Sequence, residues 1–191
     1  ERMNTRNPNV HLLGVLLTLA VLLIPSSTWS LGSPSVVEKL RSEANALPPG
    51  EERLQLLRKL VRSSQMSKEG IDDSRQLLHE AQEANDDSLV AYSVAFLINH
   101  LFAQSERDID SIRYWTSYAL PIAQRCQYWP MYFQMKYTLI QTYIYAHSYE
   151  YAKDEARRMV AEAKAQQAVT GQIIAYSCLA IAYYSTQQWK E

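Results

Sequence analysis

Acid–base, metal and nucleophilic chemistry runs through histidines, cysteines and paired carboxylates, and this chain holds few of them at suggestive spacing. His79 and Glu83 are four residues apart, the spacing of a solvated pair on one helix face. Asp108 and Asp110 flank Ile109 beside Ser111, the outline of a carboxylate pair. Their place at a helix start suits capping better, because either side chain can accept backbone N–H bonds and complement the helix dipole. His100 and His147 belong to no metal-binding spacing. Cys126 and Cys178, the only two cysteines, match no zinc or disulfide framework and lie in apolar helical contexts, which predicts free, buried thiols. Glycine-rich phosphate loops and Gly-x-Ser-x-Gly elbows are absent. The expectation is a chain without catalytic residues, metal or cofactor.

The 191 residues carry 19 Lys+Arg against 20 Asp+Glu, a formal charge of −1. That balance argues against a nucleic-acid partner or an anionic membrane surface. With 47% hydrophobic residues, five Gly and seven Pro, the chain reads as globular rather than low-complexity.

The first thirty residues read as an address. Arg6 supplies a positive start after Met3, and the apolar run Val10 to Ile24 spans about 22 Å as a helix, short of the ~30 Å of a bilayer's hydrocarbon core. Pro25 breaks it, and Thr28 and Ser30 form a small-x-small site that predicts signal cleavage after Ser30; an uncleaved anchor is the alternative. Export to the periplasm follows, and removal of this segment leaves a charge of −2.

The elements that must position any site are helices. Residues 31–86 hold Leu-type seams: Val36, Val37 and Leu40; Leu54, Leu57, Leu60 and Val61; then Ile71, Leu77, Leu78 and Ala81. No aromatic residue occurs between Leu31 and Ala91, whereas all 13 Tyr and all three Phe lie from Tyr92 onward, so packing is expected to change character near residue 90. Residues 87–191 read as helices over Asp87 to Gln104, Ile109 to Cys126, Pro130 to His147, Tyr149 to Gln167 and Thr170 to Gln187. Ile109, Tyr149 and Trp189 follow joints at forty-residue intervals. Such a period of paired helices predicts an all-α, α-α solenoid.

The run Leu139, Tyr143, Tyr149, Ala152, Ala156 and Met159 resembles the tetratricopeptide pattern, with bulky residues of one helix set against small ones of its partner. Leu179, Ala180, Tyr183 and Trp189 repeat its first half, Ala180 standing where Ile140 stands one copy earlier. A looser copy runs through Leu97, Ile98, Leu101, Ile109, Ile112 and Ala119. The resemblance implies that the first helix of each pair lines a groove for an extended peptide, and it places Tyr92, Asn99, Gln134, Tyr137, Gln141, Tyr145 and Tyr184 there. These aromatics and amides, without Lys or Arg, suit neutral peptide backbones or glycans more than a charged chain end. Inter-repeat packing is the competing role for several of the tyrosines.

The last repeat stops after Trp189, leaving the apolar face of Ile174 to Tyr184 partly uncovered. The chain is therefore expected to be the N-terminal piece of a longer protein, with self-association through that face as the alternative. Residues 132–171 are similar to the periplasmic repeat regions of bacterial membrane sensors, which implies a missing transmembrane helix and a histidine kinase or helix-turn-helix output. A free periplasmic scaffold is the other reading.

Overall fold

A computed structural model describes residues 34–64 and 68–187; the expected signal segment with its Ser30 site, and Trp189, lie outside them. The described residues form eight helices and no strand: α1 Pro34–Ala46, α2 Glu51–Ser63, α3 Glu69–Glu83, α4 Asp87–Ala103, α5 Ile109–Arg125, α6 Trp129–Tyr145, α7 Tyr149–Ala165 and α8 Val169–Gln187. Each packs against the next, and α2, α4, α6 and α8 also touch in succession. The result is an α-α solenoid in two layers, the even helices forming one continuous layer and the odd helices lying against it.

The repeat is built by one joint used four times. Asn85, Gln127, His147 and Gln167 adopt left-handed φ of 53–58° just past helix ends. At each, the next residue's N–H reaches back to a carbonyl of the last turn: Asp86 to Ala81, Tyr128 to Ala123, Ser148 to Tyr143 and Ala168 to Ala163, all at 2.8–3.0 Å. This Schellman closure satisfies carbonyls the helix leaves orphaned and turns the chain within three residues. With α5, α6 and α7 each 17 residues long, it sets the forty-residue pair. The α4–α5 joint is longer and held by Arg107, whose guanidinium lies over the Phe102 and Tyr145 rings at 4.9 and 4.3 Å and donates to the Phe102 carbonyl. Pro121 sits inside α5 on its exposed side, so the carbonyl it leaves unbonded, that of Ser117, faces water.

Two apolar clusters share the core. The first runs from α1 to Met135 of α6; the second joins Phe133 and Ile140 of α6 to α7 and α8. The division falls inside α6 rather than near residue 90: Tyr92 and Phe96, where the aromatics begin, belong to the same core as the leucine seams. α4 is buried at every position from Leu89 to Ile98 because helices cover it on all sides. Polar bridges tie the helices: Arg41 to Asp73 within the odd layer through two bonds of 2.9–3.0 Å, and, between the layers, Arg53 to Glu80 and Lys136 to Glu162 at 2.6 Å.

Gly171 marks the closest approach. It begins the buried side of α8, and a Cβ there would stand 2.3 Å from the Phe133 ring. Gly70 plays the same part in α3, where a Cβ would meet the His100 ring at 2.5 Å and the Ser64 carbonyl at 2.7 Å.

Candidate functional site

On α6, Gln134, Tyr137, Gln141 and Tyr145 recur at three- and four-residue spacing and share one face, between the sides turned to α4 and to α8. The first three are half-buried and Tyr145 is 52% exposed. Asn99 of α4 joins them: its Oδ1 accepts a 2.6 Å bond from the Thr138 hydroxyl, which fixes the amide across the α4–α6 seam. Burial pushes the Tyr137 phenol up to about 12, with the Cys178 thiol adding to the effect, so it stays a neutral hydrogen-bonding group. The Gln141 amide nitrogen is shielded and has no partner. These side chains form a neutral strip of amides and phenols on an apolar seam.

Tyr92 does not belong to the strip. Its ring is 5% exposed, packed on Phe96 at 4.6 Å and covered by the Arg58 guanidinium at 4.9 Å. Tyrosine's apolar body satisfies a core as well as a groove, so its type gave no warning. Tyr184 leaves the strip for a different reason. Counting from the helix starts, it matches Ile144 rather than Tyr145, and it stands 52% exposed on the outer side of α8.

The packing residues divide the same way. Ala152, Ala156 and Met159 are fully buried in the second core, and Tyr143 packs on it, edge to face with Tyr151 at 4.6 Å. Leu179 packs on that core too, while Leu139 and Tyr149 are half-buried. Ala180 and Tyr183 depart from the expectation: Ala180 is half-exposed, and Tyr183, 37% exposed, lies under Arg157, which donates to its hydroxyl at 2.6 Å. No helix follows on that side of α8 among the described residues, so neither has a seam to fill.

Asp108, Asp110, His79 and His147 have structural partners, whereas both ring nitrogens of the buried His100 have none at hydrogen-bond distance. Asp108 caps α5 by accepting from the Ser111 N–H at 2.9 Å, and the Ser111 bonds hold its carboxyl below the usual range. Asp110 lies 3.6 Å from Arg113 and His79 lies 3.4 Å from Glu83. His147 Nδ1 meets the Tyr149 hydroxyl at 2.6 Å. Cys126 and Cys178 are free thiols, and burial pushes Cys178 up to about 12, away from the thiolate a nucleophile needs. Among the described residues no group of three His, Cys, Asp or Glu could hold a metal ion.

Sequence reasoning missed Arg58. It borders a cleft of about 240 Å³ between α2, the start of α4 and the α5–α6 joint, lined also by Gln55, Tyr92, Gln127 and Tyr128. Its only sequence signal was the spacing of Arg58 and Arg62 on the polar side of α2, and nothing in that spacing joins α2 to Tyr92. No protein-family model, curated protein or solved structure matches the chain.

Proposed function

We propose that this chain is a non-catalytic binding module that holds an extended neutral peptide, or a glycan, along the Asn99–Gln134–Tyr137–Gln141–Tyr145 strip. The carrying observation is the strip itself: amides and phenols, half-buried except at Tyr145, along one face of α6 with Asn99 beside them on α4, and bounded at Tyr145 by the Arg107 guanidinium over its ring. Tyrosine rings offer flat apolar area to a peptide backbone or a sugar face, and amides supply paired donors and acceptors. We infer further that the module is exported and serves as the periplasmic receptive region of a bacterial membrane sensor. Support for export is the apolar run Val10 to Ile24 with its Ser30 site; support for the sensor role is the resemblance of residues 132–171. No described helix is long and apolar enough to cross a membrane.

The test is to screen the chain against uncharged hexapeptides and neutral oligosaccharides on arrays and titrate the best binder by calorimetry. Gln134→Ala and Tyr145→Ala should each weaken it about tenfold, the scale of one lost contact, with unchanged circular dichroism. A binder indifferent to both substitutions, or no saturable binder on either array, refutes the reading.

A further inference from the structure

Arg58 of α2 and Asp86 at the start of α4 line one cleft of about 240 Å³, yet among the described residues neither makes an ion pair. Neighbouring charges are engaged with one another: Arg53 with Glu80 at 2.8 Å and Asp87 with Arg125 at 2.7 Å. Arg58 and Asp86 stay apart because each is held in place. The Arg58 guanidinium lies over the Tyr92 ring, 4.9 Å from its centroid. Asp86 caps α4, its Oδ1 accepting the Leu89 N–H at 2.9 Å, and its Oδ2 has no hydrogen-bond partner among the described residues. Two helices thus present a cation and an anion to the same small space.

That combination selects a ligand. A guanidinium without a carboxylate partner takes one through two parallel N–H bonds. A second negative group on the same ligand would meet the Asp86 carboxylate, which disfavours dicarboxylates and phosphates, whereas an ammonium there would be attracted. A molecule that carries a carboxylate and an ammonium on one carbon is an α-amino acid. Size agrees, since the cleft is smaller than the ~300–1,000 Å³ of sites for drug-sized ligands and holds one residue rather than a peptide. Gln55 and Gln127 bring amides that both donate and accept, and the half-buried Tyr128 ring offers apolar area to a side chain. Because Tyr92 and Leu89 already hold the two charges, little ordering remains to be done when a ligand arrives.

We propose that the cleft between Arg58 and Asp86 binds a free α-amino acid, its carboxylate on Arg58 and its ammonium on Asp86. The site lies at the start of α4, away from Asn99 near the end of that helix, and does not depend on the amide strip.

Calorimetric titration of the full chain with each of the common protein amino acids should give at least one saturable binder. Its amide, which lacks the carboxylate, and its N-acetyl form, which lacks the ammonium, should each bind at least about tenfold more weakly. Asp86→Asn removes the charge but keeps a side chain that caps a helix equally well, so circular dichroism should be unchanged. It should weaken the amino acid about tenfold and leave the N-acetyl form no weaker than before. Gln134→Ala should leave amino-acid binding unaltered, which separates this site from the strip. Cys126 lines the cleft and Cys178 is fully buried, so the bound amino acid should slow alkylation of Cys126. No saturable binder, a binder that tolerates amidation or N-acetylation, one indifferent to Asp86→Asn, one weakened by Gln134→Ala, or one that leaves Cys126 alkylation unchanged overturns the proposal.

Discussion

Replacing Gly171 by Ala sets two effects against each other. In a helix interior alanine is favoured over glycine by about 1 kcal/mol, because it restricts the unfolded chain. Against this, the new methyl would lie 2.3 and 2.5 Å from two atoms of the Phe133 ring and 3.0 Å from a third. Carbon atoms rest at about 3.5–4.0 Å, so ring and helix must separate by more than an ångström. Phe133 cannot retreat: it is fully buried, with the Tyr132 ring edge-on at 5.1 Å and Trp129 at 6.3 Å. The strain passes to the α6–α8 spacing and loosens Ala175 and Cys178 against α6. Overpacking of this kind costs about 1–3 kcal/mol, and contacts this short place it at or above the upper end. Net destabilisation is therefore about 2 kcal/mol or more, a fall in Tm of at least roughly 4–8 °C for a chain of this size. Urea unfolding followed at 222 nm should show a lower midpoint with unchanged slope. Phe133→Leu, which removes the ring, should convert Gly171→Ala from harmful to neutral in a double-mutant cycle. A Gly171→Ala chain as stable as the parent, or a penalty that survives Phe133→Leu, would refute the close-approach argument.

Further tests probe the polar interior and the joints. Burial lowers His100 from 6.5 to about 4, against a raising influence of Asp73 and the Val61 backbone. The unfolded chain therefore takes up this proton first as pH falls, so stability present above pH 6.5 should decline by about 3 kcal/mol down to pH 4; His100→Gln should remove that component from urea midpoints measured at pH 7, 5.5 and 4.5. Arg41→Met leaves the Asp73 carboxylate, 5% exposed, without its two-bond partner. Discounted for the partial exposure of Arg41, the loss should be about 2 kcal/mol by denaturant melt. Gln127→Gly and Gln167→Gly relieve left-handed backbone at a smaller entropic cost, so each should stabilise by about 0.5 kcal/mol, additively in calorimetry. His147→Gly should yield less, because it also deletes the bond to Tyr149.

The helices were legible because their signals are local. Leu54, Leu57, Leu60 and Val61 recur at helical spacing and are all buried in α2, and the polar joint at residues 85–87 separates α3 from α4 where expected. The joints' geometry was hidden. Left-handed helix ends are ordinarily read from glycine, but here Asn, Gln and His fill them, because the backbone bonds of the closure impose the conformation on whatever residue stands there.

The candidate strip was legible only in part, and the division follows residue chemistry. Gln134 and Gln141 are both half-buried, but the Gln141 amide nitrogen is shielded without a partner, so amide chemistry placed them near a boundary without deciding which atoms face water. Tyr92, Tyr145 and Tyr184 are the same residue with three fates: buried under Arg58, stacked on Arg107, and exposed on the open side of α8. A tyrosine fits a core, a rim or an interface, and only its neighbours decide which.

What the sequence determined by itself is the all-α class, the forty-residue pair and the bulky-to-small alternation along Leu139 to Met159, because each rests on contacts within a few helical turns or between adjacent helices. Only the tertiary structure decided that Arg58 reaches Tyr92, that Asp73 is buried beside Arg41, that the core divides within α6 and that α8 turns an uncharged stripe outward. Those outcomes depend on how far each helix is rotated against neighbours more than thirty residues away, and periodicity along one helix carries no information about that rotation.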